Sequence, residues 1–456
     1  GVFKFTGDAT SPFRFLEIED YTRLGGISLN KANSTTPVKI ETSINTAGPI
    51  TINGGDLTIE ADLTTSSGGV TLQSAGKLAL GANDTSMRIA SGNTPITLKS
   101  DWIAFDGSAT AAGNGQTTLA STGILSIAPF NANFSADFLG GSDGSSGSEL
   151  NWNGALTEVS SGVFQFTGDD SNDFRHLVIE DYTRFGGIVL NKNNSSTPVE
   201  IETNMDFNGP ITVYGGDLTI EENLSSRLSG ADILLKGTGK VQSIASRTIQ
   251  TNNGDIVFWS DSDGNGEGAV LVGNDNVLNS ANGRTGDTDS SGGKIILGGG
   301  GNSGVTPTGN SASATQPGVK LGTTTANHTQ MYSGGGNISI KGLSTATGLV
   351  DDRDEAGVYQ WGRMTMKSGR GSITINGTSS EYSGVGFTDP VTDTDSGTKQ
   401  LIMKSAKTSG TAIQITGLSS AGKGVSFNYQ NPKEILSLGG GQIIVTGTGT
   451  GVGNYG

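Results

Sequence analysis

The 456 residues include 73 Gly, 11 Pro and no Cys, and 28 Lys and Arg face 43 Asp and Glu, a formal net charge of −15. A glycine excess without a G-X-Y period excludes collagen, and the lack of Cys excludes disulfides, thiolate catalysis and Cys-based metal sites. The acidic balance argues against a nucleic-acid partner, and no apolar run approaches the ~20 residues of a membrane span, so no membrane insertion is expected.

The chain opens on a strand-like run, GVFKFTG, and reads as a segment excised from something longer. Residues 1–63 recur as residues 162–224, 161 positions later and without a gap. The copied blocks include IEDYTR (Ile18, Glu19, Asp20, Arg23; then Ile179, Glu180, Asp181, Arg184) and GGDLTIE at 54–60 and 215–221. Each copy alternates apolar and polar residues between Gly, Asn and Ser clusters, the pattern of short half-buried strands and turns.

Beyond the second copy, IVFWS at 256–260 reads as a strand and DSDGNGEG at 261–268 as the turn after it. From residue 338 the runs ISIKG, ITING, IQITG and IIVTG begin 35, 40 and 30 residues apart, with further short strands between them. The spacing predicts three short strands per unit with turns of variable length. A parallel coil satisfies this pattern: each strand pairs with its equivalent one coil away, and Ile373 and Ile375 point inward while Thr374 faces out. Asn-Gly pairs at 53–54, 253–254 and 376–377 are expected at strand boundaries, where positive φ is needed. Helix is expected to be scarce, because each interior Gly costs a helix roughly 1 kcal/mol.

The runs GPITINGGDLTIEADL (48–63), GGNISIKG (335–342), GSITINGTSS (371–380) and GTAIQITGLSS (410–420) resemble the β-strand-repeat regions of filamentous-haemagglutinin-like giant bacterial surface proteins. Long repeat adhesins of gliding and biofilm-forming Bacteroidota look similar. The resemblance implies a right-handed parallel β-helix, secretion to the cell surface, and adhesion or fibre formation. Neither a sorting domain nor the amino-terminal secretion domain of the two-partner family is present in these residues.

The expected fold is therefore all-β, a three-sided β-solenoid repeat protein with modules at 1–161, 162–300 and 301–456. The expected role is a load-bearing extracellular adhesin or stalk segment that is not an enzyme. Surface glycans are its expected ligands, and neighbouring coils or chains of the same protein its end-to-end partners. A structural fibre subunit and a polysaccharide-active enzyme are the alternatives.

For chemistry, only His176 and His328 exist, read as a strand residue and a turn residue. The paired Glu19/Asp20 and Glu180/Asp181 read as duplicated structural corners. The metal candidate is Asp261, Asp263, Asn265 and Glu267: alternating oxygen donors with Gly266 between them can wrap Ca²⁺. An EF-hand is rejected, since Val272 stands where its twelfth-position Glu belongs. Asp351, Asp352, Asp354 and Glu355, and more weakly Asp287 and Asp289, read as solvated loops. Trp102, Trp152, Trp259 and Trp361 read as core or edge packing ahead of sugar platforms.

Overall fold

The computed structural model describes residues 3–5, 25–81, 86–105, 117–134, 150–152, 155–160, 163–167, 177–180, 185–202, 204–301, 306–322, 328–348, 355–388, 401–428 and 433–450. Their regular elements are all β-strands. The chain packs as two compact units, residues 1–213 and 214–456, a division placed elsewhere than the ends of the duplicated block.

In the unit 214–456 three parallel ladders are filled in rotation. The main ladder takes Ile233–Gly237, Ile256–Ser260, Ile295–Gly299, Ile338–Ser344, Ile373–Ser379, Thr411–Ser419 and Gln442–Gly449. A second ladder takes Leu218–Ile220, Val241–Ser243, Val270–Val272, Val319–Leu321, Val358–Trp361, Val385–Thr388 and Val425–Asn428. A third takes Leu224–Ser226, Thr248–Thr251, Val277–Asn279, His328–Tyr332, Arg363–Lys367, Leu401–Ser405 and Lys433–Ser437. Each coil thus adds one rung to every ladder, the order expected of a β-solenoid.

Register follows from the alternation read in the sequence. Ile233, Ile256, Ile295, Ile338, Ile373 and Ile413 stack as one column, and Leu235, Phe258, Leu297, Ile340, Ile375 and Ile415 as the next. All twelve are fully buried. On the third ladder Leu278, Met331, Met366 and Met403 form a matching buried column. A one-residue slip would turn every such side chain outward, at roughly 1.5–3 kcal/mol per exposed residue, so the register is strongly specified.

Hydroxyls close the corner between the third and main ladders. Thr251 donates to the Gly254 carbonyl at 2.6 Å, Ser333 to Gly336 at 2.7 Å and Ser368 to Gly371 at 2.8 Å. Buried carbonyls that turn out of the ladders thereby keep a donor.

The unit 1–213 has its own main ladder, Phe3–Phe5, Ile27–Leu29, Ile50–Gly54, Val70–Ser74, Ile96–Lys99, Ile124–Ala128, Gly187–Leu190 and residues 211–213. The duplication is visible atom by atom. Asn30 and Asn191 both adopt positive φ (59° and 63°) and both accept the N–H of the next residue, Lys31 or Lys192. Asn tolerates this left-handed conformation because its short polar side chain bonds locally.

Two expectations change. Asn376-Gly377 lies inside the strand Ile373–Ser379, not at a boundary, and its glycine serves a close approach. A Cβ on Gly377 would overlap the Gly384 carbonyl. The second change concerns the run GVF(K/Q)FTG, which pairs differently in its two copies. Phe3–Phe5 pairs parallel with Ile27–Leu29, whereas Val163–Thr167 pairs antiparallel with both Ala155–Ser160 and Leu177–Glu180. The second copy has a strand two residues upstream, and that separation suits an antiparallel hairpin.

Candidate functional site

The turn that follows Ile256–Ser260 brings the four metal-candidate residues together as a self-bonded loop. Asp261 takes φ 49° and is buried, and its Oδ1 accepts the Gly266 N–H at 2.9 Å. Burial pushes its carboxyl above the ordinary range, opposed by the backbone N–H of Gly266. Asp263 Oδ2 accepts from the Asn265 amide at 3.0 Å, and Asn265 Oδ1 accepts the Glu267 N–H at 2.7 Å. Side chains that cap backbone N–H groups in this way define Asx-type turns. Among the described residues no group of three or more His, Cys, Asp or Glu side chains is arranged to hold a metal ion.

Glu267 differs from its neighbours: it engages the turn through its backbone N–H, and its exposed carboxylate lines a groove. The groove has a volume of about 430 Å³ and is bounded by Asp217, Lys240, Glu267, Gly268 and residues 313–316. These residues precede four successive rungs of the second ladder, Leu218–Ile220, Val241–Ser243, Val270–Val272 and Val319–Leu321. The groove therefore crosses coils along the stacking direction. Asp217 orders the first two coils: its Oδ1 accepts the Lys240 N–H at 2.8 Å and its Oδ2 lies 3.7 Å from Lys240 Nζ. The first copy repeats this corner, where Asp56 Oδ1 accepts the Lys77 N–H at 3.0 Å.

Comparison with protein-family models, curated proteins and solved structures finds no match.

The other sequence candidates fall elsewhere. His328 opens the strand His328–Tyr332, not a turn, because its N–H is drawn to Asp275 Oδ1 at 2.8 Å and it pairs with Arg363. Its Nε2 lies 2.7 Å from the Thr365 hydroxyl, and burial first, then Arg363, lowers its pKa, which favours the neutral imidazole. Asp287 is partly exposed but ion-paired, with Lys367 Nζ at 2.7 Å and Lys404 Nζ at 3.2 Å. Those ammonium groups, the Lys367 hydrogen bond foremost, hold its carboxyl below the usual range. Glu355 is fully buried. His176, residues 18–23, residues 181–184 and Asp351, Asp352 and Asp354 lie outside the described residues, as do the side chains of Trp152 and Glu180.

Trp259 is fully buried, donates to the Gly300 carbonyl at 3.0 Å, and carries Lys236 Nζ 3.8 Å from its ring centroid. Trp361 packs edge-on against Tyr359 at 6.4 Å. Trp102 instead stands 42% exposed, with Lys77 Nζ 4.9 Å over its ring.

Sequence reasoning named Glu267 and missed Asp217, Lys240 and Gln316. One signal was available: the Asp of each GGDL block is followed a coil later by Gly-Lys, at 76–77 and at 239–240. Gln316 carries no such signal, because it reaches the groove from a loop whose return path the sequence does not encode locally.

Proposed function

We propose that the chain is a load-bearing segment of an elongated extracellular surface adhesin or stalk, part of a larger bacterial protein, that attaches to surfaces or glycans. In this reading the coils wind right-handed with three walls, as right-twisted strands joined by crossovers favour. The observation that carries the reading is the unbroken register of the main ladder from Ile233 to Ile413. Force along such a ladder passes from rung to rung, and at each step it is shared by the parallel hydrogen bonds of that rung and the buried column beside them. The turns are free to vary in length and chemistry without disturbing it, which suits a scaffold that presents binding loops.

The test is a panel of polysaccharides read for both retention and product release. Retention without release supports an adhesin. Released oligosaccharides would overturn it in favour of an enzyme.

A further inference from the structure

The groove at the turn stack has a composition that selects among ligands. Its lining side chains offer two carboxylates, one ammonium, one hydroxyl and one amide, from Asp217, Glu267, Lys240, Thr315 and Gln316, while Ser313 is buried with its Oγ accepting the Thr315 N–H. None is aromatic or a large aliphatic, so a lipid or an apolar peptide face has nothing to bury against. The ammonium of Lys240 is shared with Asp217, and Glu267 adds a second negative charge. The groove therefore repels phosphate, sulfate and uronate groups. Paired acceptors and donors without net positive charge suit neutral hydroxyl groups, each of which both donates and accepts.

Geometry adds the shape. The lining comes from the turns that lead into four consecutive rungs of one parallel ladder, and such rungs are spaced ~4.8 Å apart. That repeat is close to the length of one pyranose ring in an extended glycan. A linear chain laid along the stacking direction would present one sugar to each coil. We infer that the groove lined by Asp217, Lys240, Glu267 and Gln316 binds a short stretch of a neutral, linear polysaccharide aligned with the coil stack. Glu267 and Asp217 accept from sugar hydroxyls, Lys240 donates, and Gln316 does both. This rests on the adhesin reading and names its ligand class and attachment point.

The test is affinity electrophoresis of the full chain through gels containing hydroxyethylcellulose, xylan or dextran, with heparin and polylysine as charged controls. The double variant Glu267→Gln, Gln316→Ala serves as the probe, since the Glu267 turn is held through its backbone and Gln316 contributes its carbonyl to Ser344. Unchanged thermal midpoint and circular dichroism establish that the variant is folded. The expected result is retardation of wild type by at least one neutral polysaccharide, weakened at least tenfold in the double variant, with no retardation by heparin. Retardation equal in wild type and variant would overturn the groove and leave the adhesin reading standing. Retardation by polylysine alone would replace the glycan with a cationic polymer. No retardation of wild type in any gel would overturn the inference and the glycan attachment together.

Discussion

Asp287 and Lys236 are charged residues whose surroundings act in opposite directions. Asp287 sits between Lys367 and Lys404, and its pKa is lowered from the ordinary 3.8. A depressed acid stabilises the fold above its unfolded pKa, and that contribution is lost as pH falls through the folded value. The site is partly solvated, so the effect is small. Asp287→Asn is expected to lower stability by about 0.5–1 kcal/mol at pH 7, read as a urea midpoint. The gap between wild type and variant should narrow progressively as pH falls below the ordinary 3.8. Lys236 is buried on the Trp259 ring, and burial lowers its pKa from 10.5. A lowered base opposes folding while it is charged, and that opposition fades as pH rises through the folded pKa. Wild type should therefore gain stability relative to Lys236→Met as pH rises from 7 toward 10.5. A flat difference across that range would mean that the indole face fully replaces the lost hydration.

Strands and corners make different demands. Gly377 and Gly410 are both glycines of the main-ladder coils, yet their constraints differ. A Cβ at 377 would overlap the Gly384 carbonyl, while at 410 nothing lies within 4 Å and only φ 68° is restrictive. Gly377→Ala is therefore expected to cost about 1–3 kcal/mol as overpacking. Gly410→Ala should cost only about 1–2 kcal/mol, the left-handed penalty of one Cβ. Chemical denaturation of the two variants side by side separates crowding from backbone strain. The metal-candidate turn is likewise closed by its own side chains, Asp261 to Gly266 and Asn265 to Glu267. Its geometry needs no cation, so a chelator is expected to leave the thermal midpoint unchanged. A drop of several degrees would mean that the turn holds Ca²⁺ after all.

Across whole units, stability is a sum over neighbouring coils, each held by the coil before and the coil after. In the unit 214–456 the buried columns run through rung after rung, whereas every residue of Gln442–Gly449 is exposed. Ile413 is fully buried and Ile443, its partner in the same column, is 43% exposed. Amide exchange followed by mass spectrometry should therefore fall steeply from Gln442–Gly449 to Thr411–Ser419 and Ile373–Ser379. Uniform protection over all three strands would argue that a partner covers the outer one. Parallel coils of this unit also close a loop at every rung, from 23 residues between Ile233 and Ile256 to 53 between Val277 and Gln330, so folding is expected to be slow, on a scale of seconds or longer.

Much of this was legible in the sequence. The period-2 alternation of ISIKG, ITING and IQITG dictates which side chains turn inward, and in-register stacking follows because any slip exposes the whole set. The copied Asn30 and Asn191 turns were likewise readable, since identical local sequences meet identical local demands. Pairing partners were not. The same GVF(K/Q)FTG run is parallel in one copy and antiparallel in the other, because a strand's partner is set by what lies beside it in space. The candidate groove is of the same kind. Asp217, Lys240, Glu267 and Gln316 lie up to 99 residues apart in the sequence and meet only because the coils stack. The alternation along the chain determined the ladders and the core; the winding of one coil upon another decided which polar turns became neighbours.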